Sequence, residues 1–197
     1  KHPAKLAEMS ASKSGAHAVA DAMEATIVAQ PDQMLDAFDE MVKTQDSRKA
    51  FAKTLSNVAE AAPERLAGIL LLASDVEGGK QALANLFTDL SAPESAGSLG
   101  KMMASASSGE QSANGMKELF TTLLKPEGED HSVANQTARA LAQTSRTREG
   151  AQGVARTLSN LMQAEGGPRD VGSMVRTMSQ TPEGTKATTE MLLNLSA

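Results

Sequence analysis

The chain contains three histidines, His2, His17 and His131, which stand far apart, and none has a second histidine four residues on. A helical pair of metal ligands needs that spacing, so no histidine site is expected. The acidic run Glu127-Gly128-Glu129-Asp130-His131 offers carboxylates to a cation but lacks the ligand spacing of an EF-hand, and reads as a solvated loop. With no cysteine, thiolate ligands, thiol nucleophiles and disulfides are excluded. Ser10-x-x-Lys13 and Ser98-x-x-Lys101 match a serine-nucleophile motif in four letters only, with none of its companion motifs. Glu77-Gly78-Gly79-Lys80 lacks the spacing of a phosphate loop. No acid, base, nucleophile and metal set converges, so the expectation is a non-enzyme with no cofactor. What remains is recognition chemistry, and that depends on the elements that present it.

Those elements are helices. Apolar residues make up 40% of the 197, yet there are only four Phe and no Trp or Tyr. Core volume must come from Leu, Met, Val, Ile and Ala, a mixture that favours helix over strand. Met102, Met103, Met116, Met162, Met174, Met178 and Met191 fall on or beside the apolar stripes and are expected as core fillers. No run approaches the length of a membrane span. The start Lys1-His2-Pro3-Ala4-Lys5-Leu6 lacks the apolar run of a signal peptide. Cytoplasm is therefore the default compartment, with a previously removed leader left open.

A repeat organises the helices. Starts near 15, 47, 78, 111, 150 and 184 each precede a Leu or Met eight residues on (Met23, Leu55, Leu86, Leu119, Leu158, Leu192), and an acid directly precedes five of them. The starts are 31–39 residues apart. A proline follows each of the first five at a similar offset: Pro31, Pro63, Pro93, Pro126 and Pro168. Proline suits the first turn of a helix, and an acid beside it suits the helix dipole. Each unit reads as a first helix, a short turn, and a second helix opening near the proline. Ser74 to Glu77 and Ser107 to Glu110 fit capping boxes at first helices. Stripes such as Met34, Ala37, Phe38, Met41 and Val171, Met174, Val175, Met178 have helical spacing.

This pattern resembles the HEAT and armadillo class of helical repeats in architecture. The resemblance implies an all-α chain of two-helix repeats stacked as a right-handed α-solenoid, one helical-repeat domain over 1–197. Half-repeats stand at both ends, Pro3 to Met9 and Gly184 to Leu195. They imply a fragment of a longer array, ends covered by another molecule, or terminal helices that pack as they are.

Aligning the second helices predicts a binding ladder. It is acidic first (Asp36, Asp39), apolar at Leu71, joined by Lys101, and rich in amides and arginine at the end (Asn135, Gln136, Arg139, Ser173, Arg176). Arginine forks and amides suit carboxylates and peptide backbone, so the expected partner is a polypeptide bound by a scaffold module. In Leu70-Leu71-Leu72, three successive apolar positions imply either a helix covered all round or a contact patch. The alternative function is head-to-tail self-assembly through the terminal helices. Nucleic acid is disfavoured: net charge is −5, residues 130–197 carry seven Lys/Arg against six Asp/Glu, and aromatic stacking groups are scarce.

Overall fold

The computed structural model describes residues 2–197 and is all-helical: α1 (His2–Met9), α2 (Lys13–Ala29), α3 (Pro31–Met41), α4 (Gln45–Ala61), α5 (Pro63–Asp75), α6 (Gly79–Leu90), α7 (Ala96–Ala106), α8 (Glu110–Leu124), α9 (Ser132–Thr144), α10 (Arg148–Gln163), α11 (Gly167–Met178) and α12 (Pro182–Ser196). No helix among the described residues is long and apolar enough to cross a membrane.

Four of the six residues marked as repeat starts share a local cause. Ser12, Thr44, Thr147 and Thr181 cap α2, α4, α10 and α12, each accepting from the backbone N–H three residues on: Gly15, Ser47, Gly150 and Gly184. Capping satisfies a donor that the helix itself leaves unpaired. Asp46, Glu149 and Glu183 then sit in the first turn, where carboxylates favour the helix dipole. A Cβ placed on Gly15, Gly150 or Gly184 would overlap the carbonyl oxygen of the residue six earlier, Met9, Thr144 or Met178, so these corners close only around a hydrogen.

Pro31, Pro63 and Pro168 open helices as expected, and Pro182 opens α12 in the same way. Pro93 and Pro126 do not, since α7 starts at Ala96 and α9 at Ser132. Nor do Ser74 and Ser107 open capping boxes. Their hydroxyls donate back to Leu71 O and Met103 O, closing the preceding helices instead.

The stacking step differs from the expected one. The most extensive helix contacts are α7 with α10, α4 with α7, α5 with α8, α9 with α12, α1 with α4 and α6 with α9, and all join helices three apart. Helices therefore fall into four triplets, α1–α3, α4–α6, α7–α9 and α10–α12. Their members line up in three rows: α1-α4-α7-α10, α2-α5-α8-α11 and α3-α6-α9-α12. Long-range side-chain hydrogen bonds agree, spanning from 41 residues (Arg65 to Glu24) to 56 (Asn160 to Ala104). A two-helix stack would have placed such bonds 31–39 residues apart. Helices alternate as the sequence predicts; what repeats in space is the triplet.

An amide–hydroxyl clasp recurs at this step. Ser10, Ser107 and Ser145 end α1, α7 and α9, and each hydroxyl donates to a carbonyl of its own helix. Each also accepts from an asparagine three helices later: Asn57, Asn160 and Asn194. Ser91 and Gln143 link α6 and α9 in the reverse direction, the hydroxyl donating to Gln143 Oε1.

One hydrophobic cluster runs from Val19 to Met191. Its four phenylalanines form two pairs, Phe38 with Phe51 at 6.0 Å between ring centroids and Phe87 with Phe120 at 6.5 Å, each joining neighbouring triplets or helices of the core. Buried threonines donate back along their own helices, as Thr54 does to Ala50 O and Thr157 to Gly153 O. Among the described residues no buried side-chain polar atom lacks a partner. Met162 departs from expectation at 48% exposure, while Met191 is buried as expected beside Leu192, which is 47% exposed. In the Leu70 to Leu72 run, burial declines along the chain: Leu70 is buried, Leu71 half-buried and Leu72 exposed.

Candidate partner-binding groove

The row α4-α7-α10 carries an open groove of about 840 Å³. Its floor is α7, and its composition explains why the floor is low. Gly97, Ser98, Lys101, Ala104 and Ser105 face the groove, so only lysine projects far. Behind them α7 approaches α10 backbone to backbone. A Cβ on Gly100 would lie 2.9 Å from Gly150 O, and one on Gly153 would overlap the Gly100 backbone. Asn160 on α10 reaches across and donates to Ala104 O (3.1 Å) and Ser107 Oγ (3.2 Å).

Charges of both signs line the walls. Lys101 Nζ stands 3.1 Å from Glu60 Oε2 on α4. Arg48 holds Glu94 through Nη2 (2.8 Å) and Nε (3.1 Å), while its Nη1 donates to Val42 O. Glu94's own backbone amide, followed by Arg48, holds its carboxyl below the usual glutamate range. Glu149, Gln152 and Arg156 line the α10 wall with no side-chain partner among the described residues.

The expected ladder is not one surface. Its helices α3 and α9 belong to one row, α5 and α11 to a second, and α7 to the third. Lys101 alone lies in the groove. Gln136 donates to Asn85 Oδ1 (2.8 Å) and Thr88 Oγ1, and accepts from Gln81 (2.8 Å), knitting α6 to α9. Asn135 accepts from Thr181 (2.6 Å) and donates to Glu183, whose other oxygen pairs with Arg139 at 2.6 Å. Gln136 thus binds the preceding triplet, and Asn135 and Arg139 the next one. Asp39 stands 3.9 Å from Lys43, Asp36, Ser173 and Arg176 are exposed, and Leu71 packs against the core.

Compared with protein-family models, with curated proteins and with solved structures, the chain matches none.

The acidic loop closes on itself through paired backbone hydrogen bonds between Glu127 and Asp130, and Lys80 reaches Glu127 at 3.2 Å. Among the described residues no three potential metal ligands gather. What sequence reasoning missed was the triplet. One signal was present: Thr54-Leu55-Ser56-Asn57 recurs as Thr157-Leu158-Ser159-Asn160, 103 residues on (160 − 57), which is two triplet steps.

The ion pairs set an expected pH response. Glu94 is held down by its backbone amide and Arg48, Glu190 by Arg146, and Asp130 by the Ser132 amide. A carboxyl whose folded pKa lies below its unfolded one stabilises the fold above the unfolded pKa, and that contribution is lost as pH falls through the folded value. Asp89 has the opposite sign, because burial raises its pKa and its charge opposes folding near neutrality. Thermal melts should therefore give a Tm that is level near neutrality and falls below the ordinary carboxylate range. Asp89→Asn should raise the neutral Tm. A Tm that climbs on acidification would show that Asp89 outweighs the other three.

Proposed function

We propose that this chain is a non-catalytic helical-repeat module, a right-handed α-solenoid of the HEAT and armadillo kind, that binds a polypeptide in the groove over α7. The observation that carries the reading is the groove's make-up. It has a low floor of glycine, serine and alanine, with Glu149, Gln152 and Arg156 free on one wall. A low floor lets a backbone come close, and a wall of carboxylate, amide and guanidinium offers both donors and acceptors to peptide groups. Three helices spaced roughly 8–10 Å apart span some 20 Å, the length of about six extended residues. Three acids (Glu60, Glu94, Glu149) against two cations (Lys101, Arg156) suit a polypeptide better than a phosphate backbone.

The test compares wild type with Arg156→Glu and with Ser98→Trp, Ser105→Trp in quantitative pull-downs from source lysate. Thermal melts would establish that each variant is folded. The expected result is a partner whose affinity falls about tenfold or more when Arg156 is reversed or the floor is filled. A partner held equally by all three proteins would place recognition elsewhere on the chain.

A further inference from the structure

The groove over α7 has a direction. A Cβ on Gly97 would lie 3.1 Å from Glu149 Cβ, and Asn160 donates to Ala104 O, so α7 and α10 run side by side in the same sense. Glu149 therefore marks the end of the groove where α7 begins. Arg156 marks the other end, one helical turn before Asn160, which reaches a carbonyl near the end of α7. Seven residues of α10 separate the two charges, two turns or roughly 10 Å along the axis.

Among the described residues these are the groove's two free charges. Glu94 is held by Arg48 and Lys101 by Glu60, whereas Glu149 and Arg156 are exposed and meet no side-chain partner. A parallel row of hydroxyls lies on the floor. Ser98 and Ser105, also seven residues apart, are half-buried on the groove face of α7, and their hydroxyls have no partner among the described residues. Gln152 stands on the wall between the charges with its amide likewise unengaged. The groove thus offers unlike charges at its two ends and uncharged donors and acceptors between them.

That order selects among polypeptides. An α-helix pairs its own backbone groups and would leave Ser98, Ser105 and Gln152 without backbone partners. A polyproline II segment leaves its backbone groups free. Its three residues per turn and rise of about 3.1 Å put residues i and i+3 on one face, roughly 9 Å apart. That span is close to the separation of Glu149 from Arg156. We propose, resting on the polypeptide reading above, that the groove takes an extended segment with a basic and an acidic side chain three residues apart, the base on Glu149 and the acid on Arg156. The two charges set the segment's register and its direction along α7. The floor hydroxyls and the Gln152 amide hold the backbone between them.

The test is a random decapeptide library displayed on phage and panned on four immobilised proteins: wild type, Arg156→Glu, Glu149→Arg, and the floor-filled Ser98→Trp, Ser105→Trp. On wild type, a base and an acid three residues apart should be enriched about tenfold or more over the input library, and high salt should weaken the enrichment. Arg156→Glu should select two bases at that spacing, and Glu149→Arg two acids. Both charge variants change exposed positions, so their comparison stands even where the floor variant fails to fold. Peptides that need the open floor but show no charge pattern, or the same pattern on both charge variants, would overturn this inference and leave the polypeptide reading standing. Unlike charges seven residues apart would show a helical occupant and overturn the extended one. A library with no peptide that depends on the open floor would overturn both readings.

Discussion

Gly153→Ala should destabilise the chain by about 2–3 kcal/mol, the cost of forcing atoms into a packed interface, whereas Gly172→Ala should stabilise it by roughly 0.5–1 kcal/mol. Both glycines lie inside helices, where alanine is intrinsically favoured. The sign is decided by what surrounds them. A Cβ at position 172 meets nothing within 4 Å, while one at 153 overlaps the Gly100 backbone. To admit it, α10 must move off α7, loosening the Asn160 clasp and widening the groove floor. Denaturant melts of the two variants measure the difference directly. Equal shifts of the same sign would show that the two backbones do not touch as described.

Gly184→Ala should cost about 2 kcal/mol or more, again as overpacking. The corner before α12 brings the Met178 carbonyl against Gly184, and Thr181 caps the same residue's N–H at 3.0 Å. Thr181→Ala removes only the cap, for about 1 kcal/mol. The larger loss at Gly184 would come with early melting of α12, because moving the corner drags Glu183 off Arg139 and Asn194 off Ser145. Hydrogen exchange resolved along the chain would show α12 opening before α4 in Gly184→Ala and not in wild type. Ser47, the equivalent residue of α4, carries a side chain at such a corner, and its Oγ accepts from Thr44 Oγ1 at 2.8 Å.

The particular residues show why the helices were legible and the stack was not. Caps, prolines and first-turn acids act within a few residues of sequence, so Thr44, Pro63, Thr147 and Pro182 announce their helices directly. The stacking step does not act locally. Helices that follow one another at a steady interval produce regular spacings whether they stack every second or every third helix. Only pairs such as Asn57 with Ser10 and Asn160 with Ser107 distinguish the two. The binding ladder inherited the wrong step, which is why Gln136 and Arg139 turned out to hold neighbouring triplets together. The groove was hidden for a further reason. In an alanine- and serine-rich helix, Gly97 and Gly100 differ from their neighbours by one or two atoms, and only the approach of α10 gives that difference meaning.

The 41- to 56-residue reach of the long-range bonds also bears on how the molecule would carry a load. Among the described residues no clasp or ion pair bridges beyond the adjoining triplet, so tension applied along the rows falls on one inter-triplet seam at a time. A seam that parts leaves the remaining triplets bonded to their neighbours. A triplet that then unravels adds about 50 residues, or roughly 170 Å of extended backbone. Such a chain yields by lengthening in steps and recloses from whichever triplets stay intact, as a spring does whose coils are latched one to the next.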